Sequence, residues 1–286
     1  MLYLLYILGT RLASAIPRSI CYRLAKFFAL LQFYISKKDR EVVLYNLYPI
    51  FNDKKKTVEC AKEVFINFAY YLADFFRYQK LTPDFIQKFV RISGLENIDS
   101  TLSSNNGIIA LTAHLGNYEF AGAVVASLGY PVVAIALPHK DKRINKFFDS
   151  RREMVNIKVI STGAGIKECF SLLRQGKILA LLGDRDFSGK AHTFKMFSRY
   201  ARFPRGPAFF SLKTGAPIIP AFLIRENRDY YHLIFEKPIN STGKSEEDII
   251  NSYIPILEKH IKSYPDQWYM FGKFWEESTD KDNEQS

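Results

Sequence analysis

Cysteine is scarce in this 286-residue chain, and Cys21, Cys60 and Cys169 are odd in number and far apart. That excludes a disulfide framework and a zinc site built on paired cysteines, and it suits a reducing compartment. Internal repeats and low-complexity linkers are absent, which excludes solenoids and bead-like arrays. No apolar run reaches the roughly 20 residues that cross a bilayer. The opening run 2–9 is too short, and it lacks both a preceding basic region and a small-residue cleavage site, so it does not read as a signal peptide. Acidic residues are missing altogether from 187–214, where Lys190, Lys195, Arg199, Arg202, Arg205 and Lys213 stand among aromatic and apolar neighbours.

What is present is charge of one sign beside much apolar material. The chain carries a formal net charge of +11 with 48% hydrophobic and 15% aromatic residues, which points to an anionic partner met through an amphipathic surface. Residues 1–40 hold Arg11, Arg18, Arg23, Lys26, Lys37, Lys38 and Arg40 against Asp39 alone, interleaved with Leu, Phe and Tyr. Each such cation near an anionic leaflet contributes about 1 kcal/mol, so residues 1–35 read as helices lying on or dipping into a membrane interface. No nucleic-acid-binding signature accompanies the charge.

Periodicity predicts helices over 38–48 and 54–79, the second capped by Asp53 and apolar at Val58, Ala61, Phe65, Phe68, Ala69, Leu72 and Phe76. From Phe89 the pattern alternates. Strands are expected at 89–92, 107–112, 131–137, 157–160, 177–183, 217–224 and 230–236, with helices near 117–129, 143–155, 165–175, 205–215 and 245–264. The expected fold is α/β, a mixed and largely parallel sheet flanked by helices, with a helical, membrane-associated N-terminal region. Three parts follow: a helical region over 1–88, an α/β core over 89–275 and an acidic flexible tail over 276–286.

The most telling segment is Gly107-Ile-Ile-Ala-Leu-Thr-Ala-His114-Leu-Gly-Asn-Tyr-Glu119. A buried strand delivers His114 into the strand-to-helix loop, Asn117 lies in the turn and Glu119 one turn into the helix, where ligands bind in open α/β sheets. If the carboxylate accepts the imidazole N–H, it fixes the tautomer and leaves the other ring nitrogen as a general base. At about 4 Å and an effective dielectric of about 20, such a pair is worth roughly 4 kcal/mol before desolvation. The plainer reading is a packed histidine and a first-turn acid favoured by the helix dipole.

Two further polar clusters follow. Asp184-Arg185-Asp186 ends the buried run 177–183, and acids so placed must bind something or each other. Phe203-Pro204-Arg205-Gly206-Pro207 starts a helix whose free N–H groups suit an anion, phosphate above all. A second basic stretch, Lys140, Lys142, Arg143, Lys146, Arg151 and Arg152 against Asp141 and Asp149, fits either an acidic protein or a second phosphate.

These blocks, in this order, resemble the lysophospholipid acyltransferase superfamily, and within it the lipid A biosynthesis acyltransferase family, over residues 20–270. The pattern of His, four residues, then Asp or Glu is met by His114 and Glu119; the stretch with Asn145 and Arg152, then Asp184-Arg-Asp186, Phe203-Pro-Arg-Gly-Pro207 and Thr214-Gly-Ala-Pro-Ile-Ile-Pro220 follow. The resemblance implies His114 as the base that activates an acceptor hydroxyl, Glu119 as its partner, and Arg152, Asp184, Arg185, Asp186, Arg205 and Gly206 in substrate binding; Asn117 is grouped with them. It implies an acyl carrier protein or acyl-CoA donor, an anionic lipid acceptor such as a lipid A precursor, and a monomer at the cytoplasmic face of the inner membrane. No metal and no cofactor is expected. Arg205 stands where glycerolipid relatives carry an acid, which disfavours a glycerol phosphate acceptor, and the N-terminal segment is weaker than the family's usual anchor. Three other readings remain open: acylation of an aminolipid or lysophospholipid, a metal-dependent glycosyltransferase centred on Asp184 and Asp186, and a non-catalytic basic lipid-binding protein.

Overall fold

The computed structural model describes residues 2–104, 107–137, 139–161, 165–186, 189–227 and 229–276. Four helices lead: α1 (Leu2–Ala15), α2 (Arg18–Ile35), α3 (Lys37–Phe51) and α4 (Lys54–Phe76). Asp53 caps α4 by accepting from the backbone N–H groups of Lys55 and Lys56 at 2.8 and 3.1 Å. Two short helices, α5 (Pro83–Phe89) and α6 (Leu95–Ser103), bracket strand β1 (Val90–Ser93). Then β2 (Ile108–Thr112), α7 (Tyr118–Ser127), β3 (Val132–Ala136), α8 (Lys142–Glu153), β4 (Lys158–Ser161), α9 (Ile166–Arg174) and β5 (Ile178–Leu182) alternate. A hairpin of β6 (His192–Met196) and β7 (Arg199–Phe203) interrupts before α10 (Gly206–Thr214), β8 (Ile218–Arg225), β9 (Tyr231–Phe235) and α11 (Glu246–Ser263).

Seven strands form one sheet in the order β1-β9-β8-β2-β5-β3-β4. Every neighbouring pair in it is parallel except β8 and β9. The expected strands and helices of 89–264 are each present within a residue or two of their predicted ends. The two short helices and the hairpin are additions. The hairpin turns through Phe197 and Ser198, both in the left-handed region at φ 49° and 62°, without the glycine or asparagine that marks such turns.

Alternation along β2 divides the core. Ile109 and Leu111 enter one cluster with α10 and α11, while Ile108 enters the other with Phe120, Val124 and Leu223. Phe33, Val43 and Leu47 belong to the same cluster as Ile109, so α2 and α3 share a core with the sheet. Their outer faces are different. Leu4, Leu5, Leu8 and Leu12 on α1, and Leu24, Phe27, Phe28, Leu31 and Ile35 on α2, are exposed, with Phe27 and Phe28 at 62% and 60%. No described helix is long and apolar enough to cross a membrane. The acidic tail beyond Glu276 lies outside the described residues.

Candidate active site

Strands β2 and β5 pair in parallel with Thr112 opposite Leu182. His114 and Asp184 each lie two residues beyond that rung, so the register sets them side by side at the carboxyl end of the sheet. Asp184 is fully buried. Its Oδ2 accepts the backbone N–H of His114 at 2.8 Å and the indole N–H of Trp268 at 3.2 Å, and its Oδ1 lies 2.8 Å from His114 Nδ1. With the tautomeric proton assigned to Nδ1, that contact is an N–H···O bond and Nε2 carries the free lone pair. Among the described residues Nε2 has no hydrogen-bond partner. The side chain is 13% exposed, and the ring meets Tyr118 edge-on at 5.5 Å.

Burial alone would push the Asp184 carboxyl up. The charge of a protonated His114, the bonds from His114 and the bond from Trp268 outweigh it and hold the group below the usual carboxylate range. An ionised Asp184 orients the imidazole and stabilises the imidazolium formed when Nε2 takes a proton. Its oxygens are already engaged by three N–H donors, and a metal ligated there would have to displace them.

The loop that holds His114 is tied from two directions. Tyr269 donates its backbone N–H to the His114 carbonyl at 2.7 Å, Gly116 donates to Gln267 at 2.9 Å, and Asn117 donates to Leu223 at 2.8 Å. Gly116 has φ +64°, and a Cβ there would stand 2.2 Å from the Leu223 carbonyl oxygen, so no other residue fits without backbone movement.

Glu119 is not the partner of the imidazole. From the first turn of α7 its carboxylate receives Arg152 of α8 in a two-pronged bond, Nε to Oε2 at 3.0 Å and Nη2 to Oε1 at 2.6 Å. The reason is geometric: the helix turns Glu119 toward α8, whereas Asp184 arrives on the strand hydrogen-bonded to β2. Arg152 is thereby committed as well. Against its burial, which disfavours charge, the charge and hydrogen bonds of Glu119 raise the guanidinium above its ordinary value. Asn117 is buried, capping α7 through Phe120 N–H at 3.1 Å and donating to Asp74 at 3.1 Å. Asp186 accepts Gly189 N–H at 2.8 Å. Arg185 is exposed and lies over Gly272. Arg205 is held bidentate by Glu246 at 2.6 and 3.0 Å, while Gly206 opens onto free space.

Sequence reading missed Gln267, Trp268 and Tyr269. Their signal was an aromatic run, Trp268 to Trp275, after the last helix with no expected strand to pair it. A cavity of about 480 Å³ opens beside α7, lined by Arg18, Arg77, Lys80, Phe85, Phe89 and Phe120; His114 is not among its walls.

The family described as bacterial lipid A biosynthesis acyltransferase matches residues 1–277. This chain belongs to that family. Among similar proteins, the phosphatidylinositol mannoside acyltransferase of Mycobacterium tuberculosis is 23% identical over 188 residues, 64% of this chain and 59% of the relative. That of Mycolicibacterium smegmatis is 21% identical over 213 residues, 73% and 70% of the two chains. The lipid A biosynthesis palmitoleoyltransferase of Escherichia coli is 22% identical over 186 residues, 64% and 60%. The match thus spans about six tenths of the length of the first and last of these relatives. In this member of the lipid A biosynthesis acyltransferase family, His114 and Asp184 pair directly, with no serine or cysteine between them.

Proposed function

We propose that this protein transfers a fatty acyl chain from an acyl thioester to a hydroxyl of an anionic glycolipid, with His114 as general base and Asp184 as the group that orients it. The observation that carries this reading is the buried His114–Asp184 pair with Nε2 free. In the reaction, Nε2 takes the acceptor's hydroxyl proton as its oxygen attacks the thioester carbonyl; the C–O bond forms, the C–S bond breaks, and the thiolate leaves with a proton returned by the imidazolium. A thioester is already activated, so one base, typically supplying about 10²–10⁴-fold, does not need a protein nucleophile. Glu119 acts through Arg152, holding α7 and α8 together beside the loop.

The donor is acyl carrier protein or acyl-CoA, and the acceptor is a lipid A precursor or a mannosylated phosphoinositide, the two kinds of glycolipid in the relatives' names. The exposed apolar faces of α1 and α2, flanked by Arg11, Arg23 and Lys26, support a peripheral seat on a membrane surface, in this reading the cytoplasmic one. Purified full-length protein, labelled acyl thioester and lipid extract should give a labelled lipid, identified by mass spectrometry. No transfer to any extracted lipid, or full activity of His114→Ala, would reject the reading.

A further inference from the structure

Six residues from α2, α4, β8, β9 and the cap of α7 meet in one cluster around a buried carboxylate behind the candidate active site. Asp74 of α4 is buried, and its Oδ1 accepts the hydroxyl of Tyr22 from α2. Its Oδ2 accepts the hydroxyl of Tyr231 from β9, the Nη2–H of Arg225 from β8 at 2.6 Å and the side-chain N–H of Asn117 at 3.1 Å. Arg18 of α2 closes the rim, donating to both tyrosine hydroxyls at 2.8 Å.

The geometry points to Asp74 as a positioning residue that ties the outer helix α2 to the loop carrying His114. Two routes lead from it to that loop. Through Asn117 it fixes the cap of α7, three residues beyond His114. Through Arg225 it reaches Gln267, whose side-chain amide clamps the Arg225 backbone in both directions, accepting its N–H at 2.9 Å and donating to its carbonyl at 2.8 Å. The backbone carbonyl of Gln267 in turn accepts Gly116 N–H at 2.9 Å. Among the described residues no hydrogen bond joins Asp74 or Arg225 to His114, and both act by placing other groups.

The far end of the circuit is Tyr22, fully buried on a helix whose opposite face exposes Leu24, Phe27 and Phe28. Its hydroxyl is the contact on Oδ1; without it the carboxylate is held through Oδ2 alone and can pivot about that oxygen, which loosens the acceptor of Asn117. A helix held against a lipid surface therefore also holds the loop. This coupling rests on the reading of His114 as the reacting base only where activity is the readout.

The test is Tyr22→Phe in the full chain, with Tyr231→Phe as a second variant should the first not fold, and Tyr130→Phe as a control that removes a hydroxyl–carboxylate bond to Asp99 outside the circuit. Deuterium exchange of the peptide 113–120 should speed up about tenfold in either circuit variant and not in the control, the loss expected for one hydrogen bond to a charged group. Vesicles of phosphatidylcholine with phosphatidylglycerol should slow that exchange in the wild-type protein and fail to do so in Tyr22→Phe. In acyl transfer, kcat should fall about tenfold with KM for the acyl thioester within twofold, the signature of displaced catalytic geometry. Unchanged exchange in both circuit variants, or equal protection by vesicles with and without the Tyr22 hydroxyl, overturns the proposal. Faster exchange in a protein whose wild type acylates no lipid leaves the coupling standing and removes the functional reading instead.

Discussion

Asp184→Asn keeps the shape of the side chain and removes what the site uses. Three N–H groups converge on the carboxylate, those of His114 backbone, His114 Nδ1 and Trp268 Nε1. An amide has one acceptor oxygen and one NH₂ donor. If the oxygen stays on the His114 backbone and Trp268, the NH₂ faces Nδ1, which must become the acceptor, and the ring proton moves to Nε2 where the lone pair is needed. If the amide is reversed, two buried donors lose their acceptor at about 1–3 kcal/mol each. The imidazolium also loses its counter-charge, worth about 4 kcal/mol for unit charges about 4 Å apart at an effective dielectric of about 20. At about 1.4 kcal/mol per decade, kcat should fall roughly a thousandfold. The assay is single-turnover transfer of a labelled acyl group from thioester to detergent-dispersed lipid, with thermal unfolding to confirm the fold. A folded Asp184→Asn protein keeping more than about a tenth of wild-type kcat would refute the pairing as the source of basicity.

Arg152→Met leaves the Glu119 carboxylate without its partner at side-chain exposures of 11% and 16%, and should lower the unfolding free energy by about 3–5 kcal/mol in urea titration; a loss under about 1 kcal/mol would show the pair to be solvent-screened. Stability should also fall with acid. Asp184 and Glu236, despite burial that pushes them up, are held low by His114 and His260, and Glu246 is held low first by the hydrogen bond from Arg205. Such carboxylates add stability that is fully present above about pH 4–5 and lost as pH drops through the folded values, and His232 and His260, lowered by burial, act in the same direction from about pH 6.5 down, so the urea midpoint should decline progressively on acidification; a midpoint that rises would contradict this. Replacing both Phe27 and Phe28 by Glu should weaken flotation with anionic vesicles at least about a hundredfold, since each ring contributes about 1.5–3 kcal/mol of burial; unchanged flotation would move the membrane contact elsewhere.

The α/β alternation was legible because β2, β5 and β8 are covered on both faces and read as unbroken apolar runs flanked by glycine, proline or polar residues. The hairpin was not, because its exposed residues interrupt any apolar pattern and its turn uses Phe197 and Ser198 where Asn-Gly would have announced it. His114 was found from its place after a buried strand. Its partner was misassigned to the acid five residues away, since local spacing favours near neighbours and the true neighbour lies 70 positions on. A usable clue existed: His114 and Asp184 stand at matching distances past the ends of two buried strands, and only the pairing of β2 with β5 makes that match meaningful. The helix start and the family resemblance point to Arg205 and Asp186 as binding groups, whereas sequence does not reveal that Arg205 meets Glu246 and that Asp186 accepts a local backbone N–H.

The struts behind His114 come from Gln267, Trp268 and Tyr269, among the last residues of the fold to be synthesised. A nascent chain that has completed β2 and β5 holds both the imidazole and the carboxylate, yet lacks the bonds that Gln267, Trp268 and Tyr269 add. The full brace therefore arrives late, when the segment after α11 packs beneath the loop. By the same logic, a single proteolytic nick near residue 265 would loosen the loop that carries His114, although His114 and Asp184 were made long before it.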